Sequence, residues 1–170
     1  MDWWFFAENT EAEAREFLVR FLDDGAAGVE AEREVARAGG VEPDYSLASI
    51  REMLRWMAAR VELVDAPAPA DVPDWVQAVV AEHGGGFRDL AEASRSEVLR
   101  AAYYLGECFV TTYPVLRWEI GADDRPEVRQ PVVTGFATGD DLPVLAVAEA
   151  ALAGGEADGA VERWRTAVTG

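Results

Sequence analysis

Apolar and polar positions follow two periods along this chain, and the periods mark out helices and strands. In "NTEAEAREFLVRFLDD" (9–24), Phe17, Leu18, Phe21 and Leu22 recur at i, i+1, i+4 and i+5, which is one face of a helix. Asn9 or Thr10 caps its start, acids fill the first turn, and Asp23-Asp24-Gly25 ends or interrupts it. "AAGVEAEREVARAGG" continues in a more polar helical style until Gly39-Gly40. "SLASIREMLRWMAARVELV" (46–64) predicts a second strong helix, with Ser46 as cap and Ile50, Met53, Leu54, Met57 and Val61 on one face. The alternating Ala/Pro run "DAPAPADVP" (65–73) then favours an extended linker.

Beyond the linker, "PDWVQAVVAEH" (73–83) predicts a short helix. The segment 87–114 contains the most apolar helix of the chain, which begins at Ser94 and is closed by Pro114. "LRWEI" alternates Leu116, Trp118 and Ile120 with Arg117 and Glu119, the mark of a half-buried strand. "QPVVTGF" (130–136) is rich in β-branched and aromatic residues, and the polar stretch "GADDRPEVR" joins the two strands as a hairpin. A helix then starts with Asp141 as N-cap and Pro143 in its first turn, and a last helix near 157–168 carries Val161, Trp164 and Val168. At the N-terminus, "WWFF" (3–6) reads as a strand that joins the hairpin or plugs the core, or as an exposed aromatic patch for a partner, with core packing favoured. The expected fold is therefore α+β and mainly helical, with five to seven helices around a small antiparallel hairpin sheet. Its divisions are a helical half (1–64), the linker (65–73) and a helix–hairpin–helix core (74–170), able to pack as one unit.

Composition narrows the function. A chain of 170 residues, half of them hydrophobic, buries a core without disulfides or metal. Cys108 is its single cysteine, so no intrachain disulfide forms and nothing requires an oxidising compartment. "MDWWFF" carries an acid where a signal peptide carries bases, and the apolar run near the C-terminus is too short to span a bilayer, so a cytoplasmic protein is expected. The net charge is −17, from 32 acids against 15 bases. Such a chain repels phosphate backbones and anionic lipid, which argues against nucleic acid and membranes and in favour of a basic protein partner. All the bases are arginine, and alanine is abundant, as in chains from GC-rich genomes; acidity that serves only solubility is the competing explanation.

The chemical motifs are incomplete. "EHGGGF" (82–87) contains an His-Gly-Gly-Gly run of the kind lipases and esterases aim at an oxyanion. His83 is the only histidine, however, and Ser46, Ser49, Ser94 and Ser96 all sit at expected helix starts, so base and nucleophile are both missing and the run reads as a helix end. Cys108 lies in an apolar helix, where a thiol stays protonated. One His and one Cys make neither a zinc nor a haem site. The pairs Asp23-Asp24, Asp123-Asp124 and Asp140-Asp141 read as solvated turns and helix ends, not as a calcium loop. No catalytic residue, metal ligand or cofactor is assigned.

One local feature stands out. In "YYLGECF" (103–109), Glu107 sits among apolar neighbours, with Tyr103 one turn and Arg100 two turns before it, and Arg117 on the following strand. A carboxylate there is either a tuned acid in a pocket or a polar clamp from helix to sheet, and the clamp is favoured, with Gly106 admitting close approach of another backbone. The candidate binding residues are Tyr104, Glu107, Arg117 and Trp118.

The stretch "LRAAYYLGECFVTTYPVLRWEIG" followed by "QPVVTGF" resembles uncharacterised bacterial, mainly actinobacterial, proteins with a Tyr-Leu-Gly-Glu helix, a Trp-containing strand and a Gln-Pro segment. The resemblance covers roughly residues 94–150 and implies the helix–hairpin–helix arrangement and a cytoplasmic bacterial setting, with no activity attached. The functional expectation is a non-catalytic interaction protein, immunity-like or accessory in kind, meeting a protein partner through an acidic surface. The alternatives are a small ligand-binding domain or enzyme using Glu107 in a pocket by the hairpin, and an accessory domain whose acidity is only solubility.

Overall fold

Capping fixes where the longest helix begins. Thr10 Oγ1 accepts from the amide of Glu13 at 3.3 Å, and the Glu13 carboxylate accepts from the Thr10 amide at 2.7 Å, a reciprocal box that satisfies two orphan donors. In the computed structural model, which describes residues 5–67, 73, 77–78, 82, 87–154 and 157–168 (backbone only for residues 5, 87, 88, 157, 158 and 160), this box opens helix α2. The order is α1 (Phe5–Glu8), α2 (Glu11–Ala38), α3 (Leu47–Ala58), β1 (Leu63–Ala66), β2 (Phe87–Leu90), α4 (Arg95–Thr112), β3 (Arg117–Ile120), β4 (Pro131–Thr134), α5 (Val144–Leu152) and α6 (Ala157–Ala167). The fold is α+β and mainly helical, with six α-helices among the described residues packed around small antiparallel sheets.

Several elements depart from the sequence expectation. Helix α2 runs through Asp23-Asp24-Gly25 without a break, because Gly25 is buried against the Tyr103 ring; a Cβ there would overlap that ring. The cost of about 1 kcal/mol in helix propensity is offset by the closer approach of two helices. Helix α2 ends where Gly40 takes φ +83°, with the Val41 amide donating to Ala36 O at 2.9 Å. Helix α3 stops at Ala58, six residues before the expected end, because Leu63–Ala66 pairs as β1 with β2. That strand takes in Asp65 and Ala66, the first two residues of the expected linker.

Neither β1 nor β2 was foreseen. Leu-Val-Asp-Ala and Phe-Arg-Asp-Leu do not alternate apolar and polar positions, so neither shows the period of a half-buried strand. Phe6 lies in helix α1 rather than in a strand and is fully buried, edge-on to Phe17 at 4.9 Å. Trp3, Trp4, His83 to Gly86 and most of the expected 73–83 helix lie outside the described residues, of which only Gln77, Ala78 and Glu82 are helical there.

Helix α4 is the centre of the packing, against α2, α3 and α5 and both hairpin strands. Nine of the twelve positions from Val98 to Phe109 are buried. Ser94 occupies its N-cap position, but the hydroxyl accepts from the Glu62 amide at 2.9 Å instead of capping, and so ties α4 to the start of β1. From α3, Ile50, Met53, Leu54 and Met57 meet α4 as one apolar face. The β3–β4 hairpin pairs Trp118 with Val133 in antiparallel register, as its alternation predicts. Asp141 is not an N-cap: Leu142 exchanges backbone bonds with Val133 at 2.9 and 3.2 Å, so the chain stays extended and α5 starts only after Pro143. No helix among the described residues is long and apolar enough to cross a membrane.

Two polar contacts inside this core set its geometry. Tyr104 is fully buried, and its hydroxyl lies 2.6 Å from Ser49 Oγ while accepting from the Tyr45 amide at 3.3 Å. Ser49 in turn donates to Ser46 O at 2.8 Å, so the Tyr104 hydroxyl is the donor to Ser49. The bond to Tyr45 helps hold that residue at φ 60°, a strained position for a large side chain. Tyr104→Phe leaves the Tyr45 amide without this acceptor and is expected to cost about 1–2 kcal/mol in urea unfolding. Gly106→Ala, whose Cβ would overlap the Trp118 ring, is expected to cost about 1–3 kcal/mol in the same assay although alanine favours helix.

Candidate functional site

The residues singled out in the sequence divide between two sides of α4. Tyr103, Gly106 and Glu107 share one face and together seat Trp118 from β3. The indole N–H donates to Glu107 Oε2 at 3.1 Å, the Trp118 ring lies parallel to Tyr103 with centroids 6.5 Å apart, and Gly106 leaves room beneath it. What approaches Gly106 is thus an aromatic ring and not a second backbone. Tyr104 points the other way, to Ser49 on α3. Arg117 is exposed and pairs with its strand neighbour Glu119 at 2.8 Å. Arg100 does not turn towards Glu107. Of the four candidates, Glu107 and Trp118 meet, whereas Tyr104 and Arg117 lie apart from them.

Cys108 is fully buried, and burial pushes its thiol well up, as it does the hydroxyls of Tyr103 and Tyr104; none of these is poised as a nucleophile. Asp23-Asp24 lies within α2 and not at a helix terminus. Among the described residues no group of three or more His, Cys, Asp or Glu is placed to hold a metal ion.

Among the described residues, recesses open on the surface at several places. One of about 410 Å³ is lined by Arg125, Glu127, Asp140, Asp141, Arg163 and Trp164 among others. Its charges partly answer each other: Arg125 donates to Gly139 O at 3.1 Å and stands 4.0 Å from Asp140. Burial holds the Asp141 carboxyl above its ordinary range, and Asp140 adds to the shift while Arg125 opposes it. A second, of about 320 Å³, lies between α3 and α6 beside Arg51 and Arg165.

The third is a groove of about 420 Å³ between α2 and α4. Phe17, Phe21 and Leu99 give it apolar walls, and Gly25 and Gly28 its floor. The wall is backed by the Trp118 seat, since Phe21 meets Trp118 edge-on at 5.6 Å and Tyr103 at 6.4 Å. Arg20, Asp24 and Ser96 stand at the rim. A half-open apolar cleft with a few polar groups is the usual form of a binding site.

Arg100 closes the inner end of the groove, held by charges that sequence reading missed. Its Nη1 donates to Glu32 on α2 at 2.8 Å and to Glu97 at 2.7 Å, and Arg60 reaches Glu32 at 3.7 Å. Each carboxylate keeps one buried oxygen, Glu32 Oε2 and Glu97 Oε2, without a hydrogen-bond partner among the described residues. The sequence did hold a signal: Gly25, Gly28 and Glu32 fall at i, i+3 and i+7, a small-residue stripe running into an acid on one helix face.

Burial holds the Glu32 carboxyl above its ordinary value of 4.5, Glu97 pushes it the same way, and Arg100 and Arg60 oppose them. A carboxyl raised on folding favours the protonated folded chain, so its contribution to stability is full below the ordinary value and is lost as pH rises through the raised one. Glu32→Gln, neutral at every pH, is expected to gain stability relative to the parent as pH climbs from about 4 to 8, with little difference at the acid end. Parallel urea unfolding of the two chains across that range measures the difference.

No protein-family model matches the chain, and comparison with curated proteins and with solved structures finds no match either, so its function is read from its own geometry.

Proposed function

We propose that this chain is a non-catalytic cytoplasmic interaction protein, accessory or immunity-like in kind, that binds a protein partner of basic character. The observation that carries the reading is the placement of the apolar groove on the longest helix, beside an acid-rich exposed face. Glu16, Asp23, Asp24, Glu30 and Glu34 are all exposed along α2; Glu16, Glu30 and Glu34 pair with Arg20, Arg33 and Arg37, Asp23 and Asp24 carry no ion pair among the described residues, and the chain as a whole carries −17. The acids attract and steer the partner, and the aromatic-walled groove receives its apolar anchor. Groove and acidic face thus divide the work between affinity and encounter rate.

The second reading, a ligand-binding domain or enzyme built on Glu107, draws less support. Glu107 accepts from the Trp118 indole and lines none of the three recesses described.

The test is retention of a partner on the immobilised chain. Leu99 is half-buried at the groove wall and packs against the core, so Leu99→Asp lowers the chain's own stability; compared below its own unfolding transition, where it remains folded, it is expected to weaken the complex by about 2 kcal/mol, roughly thirty-fold. Raising the salt from about 0.1 M to about 1 M shortens the screening length from about 10 Å to about 3 Å and is expected to slow association markedly. A partner held equally by the Leu99→Asp chain and indifferent to salt would overturn the proposal.

A further inference from the structure

The recess of about 410 Å³ beside the β3–β4 loop is built from parts that hold one another in place. Within the loop, Arg125, Val128, Arg129 and Gln130 each donate a backbone N–H to a loop carbonyl, at 3.1, 3.1, 2.8 and 3.0 Å. Gly121 lets the chain cross the Glu127 carbonyl, which a Cβ would overlap. Arg125 ties the loop to the turn before α5 through Gly139 O at 3.1 Å. Across the opening, Trp164 on α6 is anchored edge-on to Phe136 at 4.9 Å and, with Val147 and Pro143, gives the recess an apolar wall. A recess held in this way is formed before any ligand enters, so little ordering cost opposes binding. Its volume lies in the lower part of the range for small-molecule sites, about 300–1,000 Å³.

Charge decides what fits. Arg125 and Asp140 stand 4.0 Å apart and answer each other. The side chains of Asp141 and Glu127, both half-buried, and of Arg163 make no hydrogen bond or ion pair among the described residues. The Arg163 guanidinium is set over the Trp164 ring, 5.5 Å from its centroid. Carboxylates and a guanidinium thus line one recess without pairing with each other, and a ligand that carries both charges answers both. We propose that the recess binds a free α-amino acid with an apolar side chain. Its ammonium donates to Asp141 and Glu127, its carboxylate accepts from Arg163, and its side chain lies against Trp164, Val147 and Pro143. A simple anion would meet two free carboxylates for one free guanidinium, and a simple cation would leave Arg163 unanswered. The site shares no residue with the groove between α2 and α4 and does not depend on the interaction reading.

The test is a titration of L-leucine into the full-length isotope-labelled chain, with the Trp164 indole N–H and the amides of Glu127, Asp141 and Val147 followed by NMR. Leucinamide, which lacks the carboxylate, and N-acetyl-leucine, which lacks the ammonium, are titrated alongside. Leucine is expected to move these signals with a dissociation constant of about 1 mM or below, and each derivative to bind roughly tenfold more weakly, the loss of a charge-assisted hydrogen bond. Arg163→Gln, at an exposed position of α6, is expected to bring leucine down to the level of leucinamide while leaving leucinamide unchanged. Asp141→Asn, equal in shape, is expected to bring leucine down to the level of N-acetyl-leucine. Both variants should unfold near the parent's midpoint, since neither side chain has a partner to lose among the described residues. Absence of any shift at the recess with leucine at about 10 mM, some ten times the expected constant, would overturn the proposal. Either derivative binding as tightly as leucine would overturn the amino-acid assignment, because one of the two charges would then be idle.

Discussion

The close approach of α2 and β3 to α4 is the constraint on which the rest of this structure depends. Helix α4 carries large rings on several faces, with Tyr103, Tyr104 and Phe109 all buried, and an ordinary side chain opposite each ring would hold its neighbours off. Glycine resolves the conflict twice. Gly25 lets α2 lie against the Tyr103 ring, and Gly106 lets the Trp118 ring lie on α4 itself. Both glycines weaken their helices locally, and both are offset by dense aromatic contact. The Glu107–Trp118 bond then fixes the indole where packing has already placed it.

The same approach creates the groove. Helices in contact along small residues diverge where large side chains begin, and Phe17, Phe21 and Leu99 line the space that opens. At its inner end the chain accepts an expensive arrangement, two carboxylates and a guanidinium largely out of water, with a carboxylate oxygen on each side left unpaired among the described residues. A hydrophobic cluster of similar volume would serve stability as well or better.

Surface charge has a different part in this protein. Most of its ion pairs are exposed and local, such as Arg20–Glu16 and Arg165–Glu162, and pairs of this kind contribute little to stability. The unpaired excess of acids repels itself and slightly opposes compaction. Its general effect is on solubility and on long-range attraction of opposite charge, neither of which needs an exact position for any one carboxylate.

Sequence alone determined whatever depends on neighbours along the chain. The Thr10 and Ser46 caps, four of the five residues expected on the apolar face of α3 (Val61 lies beyond its end), the alternation of β3 and the burial of α4 all follow from local periods and end signals, and so did the α+β class. Glu107 stood out because a charge in an apolar run is visible without coordinates, though its partner was not: of the nearby cations one pairs with Glu32 and Glu97 and the other with Glu119, and the indole took their place. The tertiary structure decided everything that joins distant segments. It made Gly25 a packing position instead of a helix break, paired β1 with β2 across more than twenty residues, and gathered Glu32, Glu97, Arg100 and Arg60 from three parts of the chain into one cluster. A glycine in a helix reads the same whether it ends the helix or admits a ring, because the ring that decides the matter lies 78 residues away, at Tyr103.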